Sequence, residues 1–344
     1  TNARYPTRPK DIHLENLERA RAARSFAVMR RLQRWEAWLA LNTATVLWGA
    51  QHAVNKHMLV FTSPSALTAA RFVLAATAVL PWLPLSRARN SWLDGVKLGL
   101  WSTLGFAFQM VGLQYTSASR SSFLLYLNVK LVPLLELMVH GHMPSLQTWA
   151  AAAVALLGAL LLAFDGGAPN LGDLWSLVAA TTSACFIITL GSASRSEGAV
   201  AAELNATTAA CTAALCSVWA VADAATSTTG SALHDLLQLQ AHIAEVAFLG
   251  VVTTAFAQWL QALGQARIDA TDAAVIFALD PVYGVCFASL WLGEHLGPQG
   301  LLGAGCILLA NLSQYACFAR RTAASAQAES DAELPLSQKL LVDE

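Results

Sequence analysis

The chain has 344 residues, of which 56% are hydrophobic and only 12% are charged, and its formal net charge is −1. Soluble domains carry roughly 25% charged residues, so this composition excludes an ordinary soluble protein and indicates one that spans a membrane. We therefore expect the lipid bilayer as a partner, and no nucleic acid.

Ten apolar segments are each long enough to cross about 30 Å of hydrocarbon, which takes roughly 20 helical residues. They cover residues 37–60, 65–84, 95–114, 119–139, 146–164, 172–191, 200–222, 243–264, 271–293 and 299–318. Most connections are short, and the longest, 223–242, is expected to carry a short surface helix. The predicted fold class is therefore an all-α integral membrane protein with ten transmembrane helices in one bundle.

The basic residues test these spans, because Lys and Arg accumulate on the cytosolic side of a membrane. Nine of the 21 lie in residues 1–36, and eight more lie in other segments that the spans place on the same side. Only Arg120 lies on the opposite side, while Lys56, Arg71 and Lys130 lie within spans. Both termini are therefore predicted to face the cytosol, or the stroma or matrix if the membrane belongs to an organelle.

The chain repeats itself weakly at an offset of 152 residues. The matched stretches are QMVGLQ (109–114) with QALGQA (261–266), YLNVKL (126–131) with ALDPVY (278–283), and MVHGH (138–142) with LWLGE (290–294). We predict two repeats of five helices, at 37–164 and 172–318. An odd number of crossings makes the second copy enter from the opposite face, and inverted repeats of this kind are typical of transporters.

The two tails differ in composition from the spans. Residues 1–36 form a basic tail, which could lie as an interfacial helix on anionic lipid or be the end of an organelle transit sequence. The chain starts with Thr rather than Met, which leaves the completeness of the N-terminus open. Residues 319–344 are predicted to be a disordered C-terminal tail.

Several short stretches, in this order and spacing, resemble the EamA-type family of the drug/metabolite transporter superfamily. They are WG (48–49), NK (55–56), PSALTAARF (64–72), GLQYTSAS (112–119), GDLWSLVAA (172–180), DPVYGVCFASLWLGEHL (280–296) and LLGAGCILLA (301–310). The resemblance implies a ten-helix transporter that moves small metabolites through a central cavity without ATP hydrolysis. The chain departs from the family at Gly141-His142, where Gly-Glu is usual and is kept only as Gly293-Glu294, and Arg71 is matched by Asn205 in the second repeat.

The most unusual feature of the spans is the pair Asp280-Pro281 near the middle of span nine. A charge at this depth costs at least about 2.5–3.5 kcal/mol, so one that persists normally faces a cavity or a partner. Pro281 removes a backbone donor and frees carbonyl groups. The pair predicts either a broken helix that presents a carboxylate to a polar cavity or a simple kink whose Asp is satisfied locally. Pro133 is a second predicted kink, in span four.

Other polar residues within spans are candidates for binding substrate or a coupling ion. Asn128 is the counterpart of Asp280 in the repeat, and Lys130 is the counterpart of Val282. Since equivalent positions of an inverted repeat approach one another near its axis, Lys130 could form an ion pair with Asp280, either permanently or in one state of a transport cycle. Arg71 could pair with Glu203 or with an anionic substrate. The remaining candidates are Lys56, which could instead extend to the interface, and Gln109, Gln258, Gln261 and the neighbouring Trp259.

The sequence contains none of the motifs HExxH, GxSxG or GxxxxGK[ST]. We therefore predict no catalytic residues, metal or cofactor, and neither an enzyme nor a nucleotide-driven pump. The favoured function is a multi-pass secondary transporter of a small organic metabolite that works by alternating access, proton-coupled if Asp280 changes protonation between states. Two alternatives stay open. One is a sugar-phosphate or nucleotide-sugar antiporter of the same superfamily, and the other is a non-transporting membrane scaffold or channel.

Overall fold

A computed structural model describes residues 35–83, 89–140, 146–163, 170–196, 201–226, 231–268, 273, 276–277, 279–310 and 312–313. These residues are helical with short connections and contain no strand, which confirms the predicted all-α architecture. Most of the predicted basic tail and the whole predicted C-terminal tail lie outside the described residues, as do Gly141 and His142.

The helices follow one another in a simple order. They are α1 (35–58), α2 (Pro64–Val79), α3 (Arg89–Tyr115), α4 (Ala118–Leu125), α5 (Asn128–His140), α6 (Leu146–Ala163), α7 (Leu171–Ser194), α8 (Ala201–Thr226), α9 (Ser231–Ala241), α10 (Ile243–Gln265), α11 (Asp280–Leu292) and α12 (Pro298–Ala310). Helix α10 contains a π-helical segment, Phe248–Phe256. The predicted short helix in the long connection corresponds to α9.

Four of the described helical segments are long and apolar enough to cross a membrane, judged by length and composition. They are Trp92–Tyr115, Leu171–Ser194, Ala201–Thr226 and Ile243–Gln265. Three shorter apolar helices are Pro64–Val79, Trp149–Gly158 and Pro298–Ala310. The protein is therefore an integral membrane protein with several spans, and the number ten stays a prediction.

Two predicted spans are broken near their middles. Span four consists of α4 and α5, separated by a turn at Tyr126 and Leu127. In span nine a turn at Leu279 precedes α11, and Pro281 lies in the first turn of that helix, where its missing N–H removes no intrahelical bond. Leu127 and Leu279 are 152 residues apart, so the two breaks occupy matching positions of the predicted repeat. Pro133 lies within α5, beyond the break.

Small residues bring the helices of the bundle close together. Helix α3 packs along both α7 and α8, and α2 packs along α8. A Cβ on Gly112 would lie 3.0 Å from the carbonyl oxygen of Gly172, so α3 and α7 approach backbone to backbone. Gly264, its match in the predicted repeat, lies close to α1, where an added Cβ would meet the Leu41 side chain and, at 3.2 Å, the carbonyl oxygen of Ala37. Such contacts let membrane helices associate by packing where water provides no driving force.

We expect a methyl group at Gly49 to destabilise the contact between α1 and α11. A Cβ at this position would overlap with the Cβ of Tyr283, so Gly49→Ala should lower the free energy of unfolding by about 1–3 kcal/mol. Gly305→Ala is the matched control, because no atom of the described residues lies within 4 Å of its Cβ position. Melting temperatures of the purified variants in detergent measure the effect, and equal changes in both would contradict the close contact.

Candidate functional site

The bundle encloses a cavity at the level of the two helix breaks. The volume open to water-sized molecules is about 110 Å³. Its polar lining consists of the side chains of Gln51, Ser102, Gln109, Asn128, Ser183, Gln258, Gln261 and Asp280. Its aromatic lining consists of Trp48, Trp101, Phe106, Tyr126, Phe186 and Phe277. A small, largely apolar chamber with a few polar groups is the usual form of a binding site for a small organic molecule.

Asp280 lies in this cavity and contacts a buried histidine. Its Oδ2 lies 3.3 Å from Nε2 of His52, whose side chain is fully buried. The other ring nitrogen, Nδ1, lies 3.2 Å from Nε2 of Gln109. Because the Gln109 amide nitrogen can only donate, Nδ1 accepts and the proton of a neutral His52 lies on Nε2, facing Asp280. A short chain of hydrogen bonds therefore joins Gln109 of α3, His52 of α1 and Asp280 of α11.

The second carboxylate oxygen of Asp280 has no such partner. Oδ1 is buried and makes no hydrogen bond with any described residue. An unsatisfied buried acceptor is costly, and a functional role is one of its ordinary explanations. A proton on the carboxyl group or a donor group of a bound molecule would satisfy it. This oxygen is the chemically most distinctive point of the cavity wall.

The structure brings most, but not all, of the predicted site residues together. Asp280, Asn128, Gln109, Gln258 and Gln261 line the cavity. Lys130 is buried in the first turn of α5, close in sequence to Asn128, and is not among the lining residues. Trp259 is 37% exposed, lies against the Phe256 ring, and is also outside the cavity lining.

The two remaining predicted cations lie outside the cavity lining as well. Lys56 donates from Nζ to the carbonyl oxygens of Leu113 and Thr116, at the C-terminal end of α3, where a cation is favoured by the helix dipole. Arg71 is buried in α2 and donates from Nη2 to Oε1 of Gln51 and from Nε to the Thr254 hydroxyl. Among the described residues its hydrogen bonds are thus to neutral groups, and Glu203 is not one of these partners.

A network of polar side chains joins the helix ends at one end of the bundle. Its members are Lys56, Thr116, Ser119, Arg120, Asp173 and Glu294, and we call it the end network. Asp173 accepts from Nη2 of Arg120 at 2.8 Å and from the Thr116 hydroxyl at 3.0 Å. It also completes a capping box with Asn170 at the start of α7. These contacts hold the ends of α3, α4 and α7 together.

Glu294, which follows α11, caps the first turn of α4. Its carboxylate accepts from the backbone N–H of Ala118 and of Ser119 and from the Ser119 hydroxyl, at 2.7–3.0 Å. An acidic group at a helix N-terminus satisfies otherwise unpaired N–H groups and is favoured by the helix dipole. The Gly-Glu pair that the second repeat keeps therefore links it to the first repeat.

We expect Glu294→Ala to destabilise the protein by about 1–2 kcal/mol, the usual cost of removing a helix N-cap. Glu294→Gln keeps one acceptor oxygen and should have an intermediate effect. The control is Glu245→Ala, because Glu245 is partly exposed and its ion pair among the described residues is the local one with His242. Thermal unfolding in detergent gives the comparison. A melting temperature of Glu294→Ala equal to that of Glu245→Ala would show that the cap contributes nothing.

His52 and Gln51 are the important site residues that were not among the predicted ones. Both are polar residues in an apolar span, which is a signal that the sequence carries. Most polar residues in membrane helices bind neighbouring helices, however, so the signal is weak without the fold. Their importance follows from their partners, Asp280 and Arg71, which are 228 and 20 residues away.

The helical fold and its enclosed, partly polar cavity define a polytopic membrane protein with an internal binding site. Comparison with protein families adds the identity. The profile of the EamA-like transporter family matches residues 35–164 and 170–312, which is most of the chain. The protein belongs to this family, which confirms the resemblance seen in the sequence.

Two further comparisons agree with this assignment. The chain is 29% identical over 281 residues to an "Uncharacterized transporter" of Archaeoglobus fulgidus, covering 81% of this chain and 85% of that protein. A solved structure titled "Crystal structure of protein" superposes with a TM-score of 0.59 at 19% identity, covering 83% of this chain and 98% of the other. At this identity the second likeness concerns the fold alone. The family and the archaeal relative support a membrane transporter of the drug/metabolite superfamily.

Proposed function

We propose that this transporter is a secondary carrier, which moves a small organic metabolite by alternating access and is driven by protons that Asp280 binds and releases. The observation that carries the proposal is the Asp280 carboxylate in the cavity, with one oxygen facing His52 and the other buried without a hydrogen bond. A group in this position can exchange a proton or a substrate donor whenever the cavity opens to water.

Alternating access requires two halves that can exchange conformations, and several contacts support an inverted pair of five-helix repeats. The family profile matches the chain twice, over segments close to the predicted repeats 37–164 and 172–318. The two helix breaks and the close contacts of Gly112 and Gly264 occur at the same 152-residue offset. Inverted repeats of broken helices with a site near the midplane are the usual construction of secondary transporters.

The end network supports a state in which one end of the cavity is closed. Arg120 and Ser119 of the first repeat contact Asp173 and Glu294 of the second. These contacts must break for this end to open, so they act as a gate in the proposed cycle. The proposed orientation places the chain termini at the opposite end of the bundle, facing the cytosol or an equivalent compartment.

The cavity supports the phosphate-antiporter alternative less well. Recognition of a phosphate group favours two or more cations. None of the described residues that line the cavity is Lys or Arg, and Lys56 is held at the end of α3. A neutral or singly charged metabolite fits this lining better.

The experiment that tests the proposal is uptake into proteoliposomes that contain the purified full chain. A pooled panel of metabolites is offered with an inside-alkaline pH gradient, without a gradient, and with a protonophore, and empty liposomes serve as the blank. We expect at least one compound to accumulate above the blank, and the protonophore to abolish its accumulation. A folded protein that moves no compound, or that moves one equally well without a gradient, would contradict proton-driven transport.

A further inference from the structure

Arg71 carries a buried positive charge beside the cavity. The residue is only 1% exposed. Nε donates to the Thr254 hydroxyl at 2.5 Å, and Nη2 donates to Oε1 of Gln51 and, at 3.5 Å, to the Thr253 hydroxyl. Nη1 is buried and makes no hydrogen bond with any described residue. Among the ion pairs of the described residues, none involves Arg71.

A charge in this position is expensive to keep. Burying an ion without an opposite charge costs several kcal/mol or more, and a guanidinium group cannot escape the cost by losing its proton. Charged residues within membrane helices therefore normally face a partner, a substrate or an ion path. The hydroxyl and amide partners of Arg71 satisfy part of its hydrogen-bonding capacity, but as neutral groups they do not neutralise its charge.

Two of the groups around Arg71 are also walls of the cavity. Gln51 and Phe106 both line it, and the Arg71 Cζ lies 4.4 Å from the centroid of the Phe106 ring. Because Oε1 of Gln51 is occupied by Arg71, the amide nitrogen of Gln51 is its remaining polar group, and that nitrogen can only donate. The Gln51 amide thus gives this wall a hydrogen-bond donor, and Arg71, which lies behind Gln51 and Phe106, gives it a positive potential.

The local backbone of α10 adds an independent sign of function. Thr253 and Thr254 belong to the π-helical segment Phe248–Phe256, a geometry that is frequently found at functional sites. Asn205, the counterpart of Arg71 in the second repeat, also contacts this segment, donating to the carbonyl oxygen of Ala255 at 3.0 Å. Arg71 and Asn205 thus occupy matching places in the two repeats. Since Asn205 is neutral, only the place of Arg71 carries a charge.

We propose that the cavity takes a substrate with one carboxylate group, whose oxygens accept a hydrogen bond from the Gln51 amide, which Arg71 polarises and backs with its positive charge. The inference rests on the proposed transport function and names its substrate class. When Asp280 carries a proton, as the proposed cycle requires, a single negative charge on the substrate matches the single cation behind this wall. The aromatic lining, with Trp101 and Phe106, receives the apolar part of such a molecule.

Binding is tested by thermal stabilisation of the purified full chain in detergent, with acid and amide probes of equal shape. The pairs are benzoate with benzamide, 3-phenylpropionate with 3-phenylpropionamide, and butyrate with butyramide. We expect at least one carboxylate to raise the melting temperature and its amide to have little effect. Arg71→Gln should weaken carboxylate binding by roughly 10- to 100-fold, the usual range for losing a charge-assisted hydrogen bond.

Two further variants keep the test decisive if Arg71→Gln does not fold. Arg71→Lys keeps the charge but cannot bind Gln51 and Thr254 together as the guanidinium group does, and Thr254→Val removes one anchor of that group, so both should weaken carboxylate binding by a smaller factor. Lys97→Gln is the charge control, because Lys97 is exposed and pairs only locally with Asp94. Equal stabilisation by acids and amides, or an unchanged preference for acids in all three variants, would overturn the proposal.

The binding experiment and the uptake experiment can fail independently, so the anion site and the proposed transport function are tested separately. Carboxylate binding without proton-driven uptake would leave the anion site standing and contradict the transport mechanism. Proton-driven uptake of neutral or cationic compounds, together with no binding of the carboxylates, would leave the transport mechanism standing and contradict the anion site.

Discussion

Asp280→Asn is expected to reduce proton-driven accumulation of substrate by at least about tenfold while the protein remains folded, which corresponds to roughly 1.4 kcal/mol. The Asn side chain has almost the same shape, and its oxygen can still accept from Nε2 of His52. It can neither carry a negative charge nor take up a proton. Uptake into proteoliposomes under an inside-alkaline gradient measures the effect.

Exchange without a gradient separates the two roles that Asp280 can have. If the carboxylate only couples protons to transport, Asp280→Asn should keep exchange of labelled for unlabelled substrate and lose accumulation. If the carboxylate also holds the substrate, both should fall together. Asp94→Asn is the matched control, since Asp94 forms a surface pair with Lys97 at 3.2 Å. Accumulation by Asp280→Asn at the level of the control would contradict the proposed role.

The midplane part of the site could be anticipated from the sequence because polar groups are costly in hydrocarbon. Asp280, Asn128 and the three glutamines were candidates for that reason, and the structure places all five at one cavity. Their roles in transport stay predictions. A broken helix at Asp280 was one of the two alternatives that Pro281 suggested, and the turn at Leu279 agrees with it.

The partners of these groups could not be anticipated, because they come from distant parts of the chain. Nothing in the sequence pairs His52 with residue 280, or Glu294 with the first turn of α4. Lys56 was expected to extend either to the interface or to a substrate, and nothing in the sequence indicated the carbonyl oxygens at the end of α3 that it binds. No proline or glycine lies at the break at Tyr126 and Leu127, so the local sequence does not predict it. Its position is suggested only by its match to Leu279 in the predicted repeat.

Asp173→Ala is expected to destabilise the protein by about 3–5 kcal/mol, the cost of removing one partner of a buried ion pair. The side chains of Arg120 and Asp173 are only 11% and 6% exposed. Arg120→Ala should cost less, because Asp173 would still accept from Thr116 and from the backbone N–H of Asn170. Unfolding in SDS, followed by circular dichroism, measures both variants.

The double variant tests whether the two residues act through each other. Since each single change removes the same ion pair, the double variant should cost less than the two single changes together, by about 0.5–3 kcal/mol. Asp94→Ala is the control, and its exposed pair should contribute at most about 1 kcal/mol. Strictly additive costs would show that Arg120 and Asp173 are neighbours without a stabilising interaction.

If the Arg120–Asp173 pair is part of a gate, weakening it should open this end of the cavity. Asp173→Asn keeps an oxygen for the helix cap and weakens the pairing with Arg120, so it should favour opening of this end more than unfolding. A cysteine introduced at Ser102, which lines the cavity, reports the opening in a chain whose six native cysteines are replaced. A membrane-impermeant maleimide should label this cysteine mainly from one side of the vesicle in the parent and from both sides in Asp173→Asn. Unchanged sidedness would mean that the end network stabilises the fold without gating the cavity.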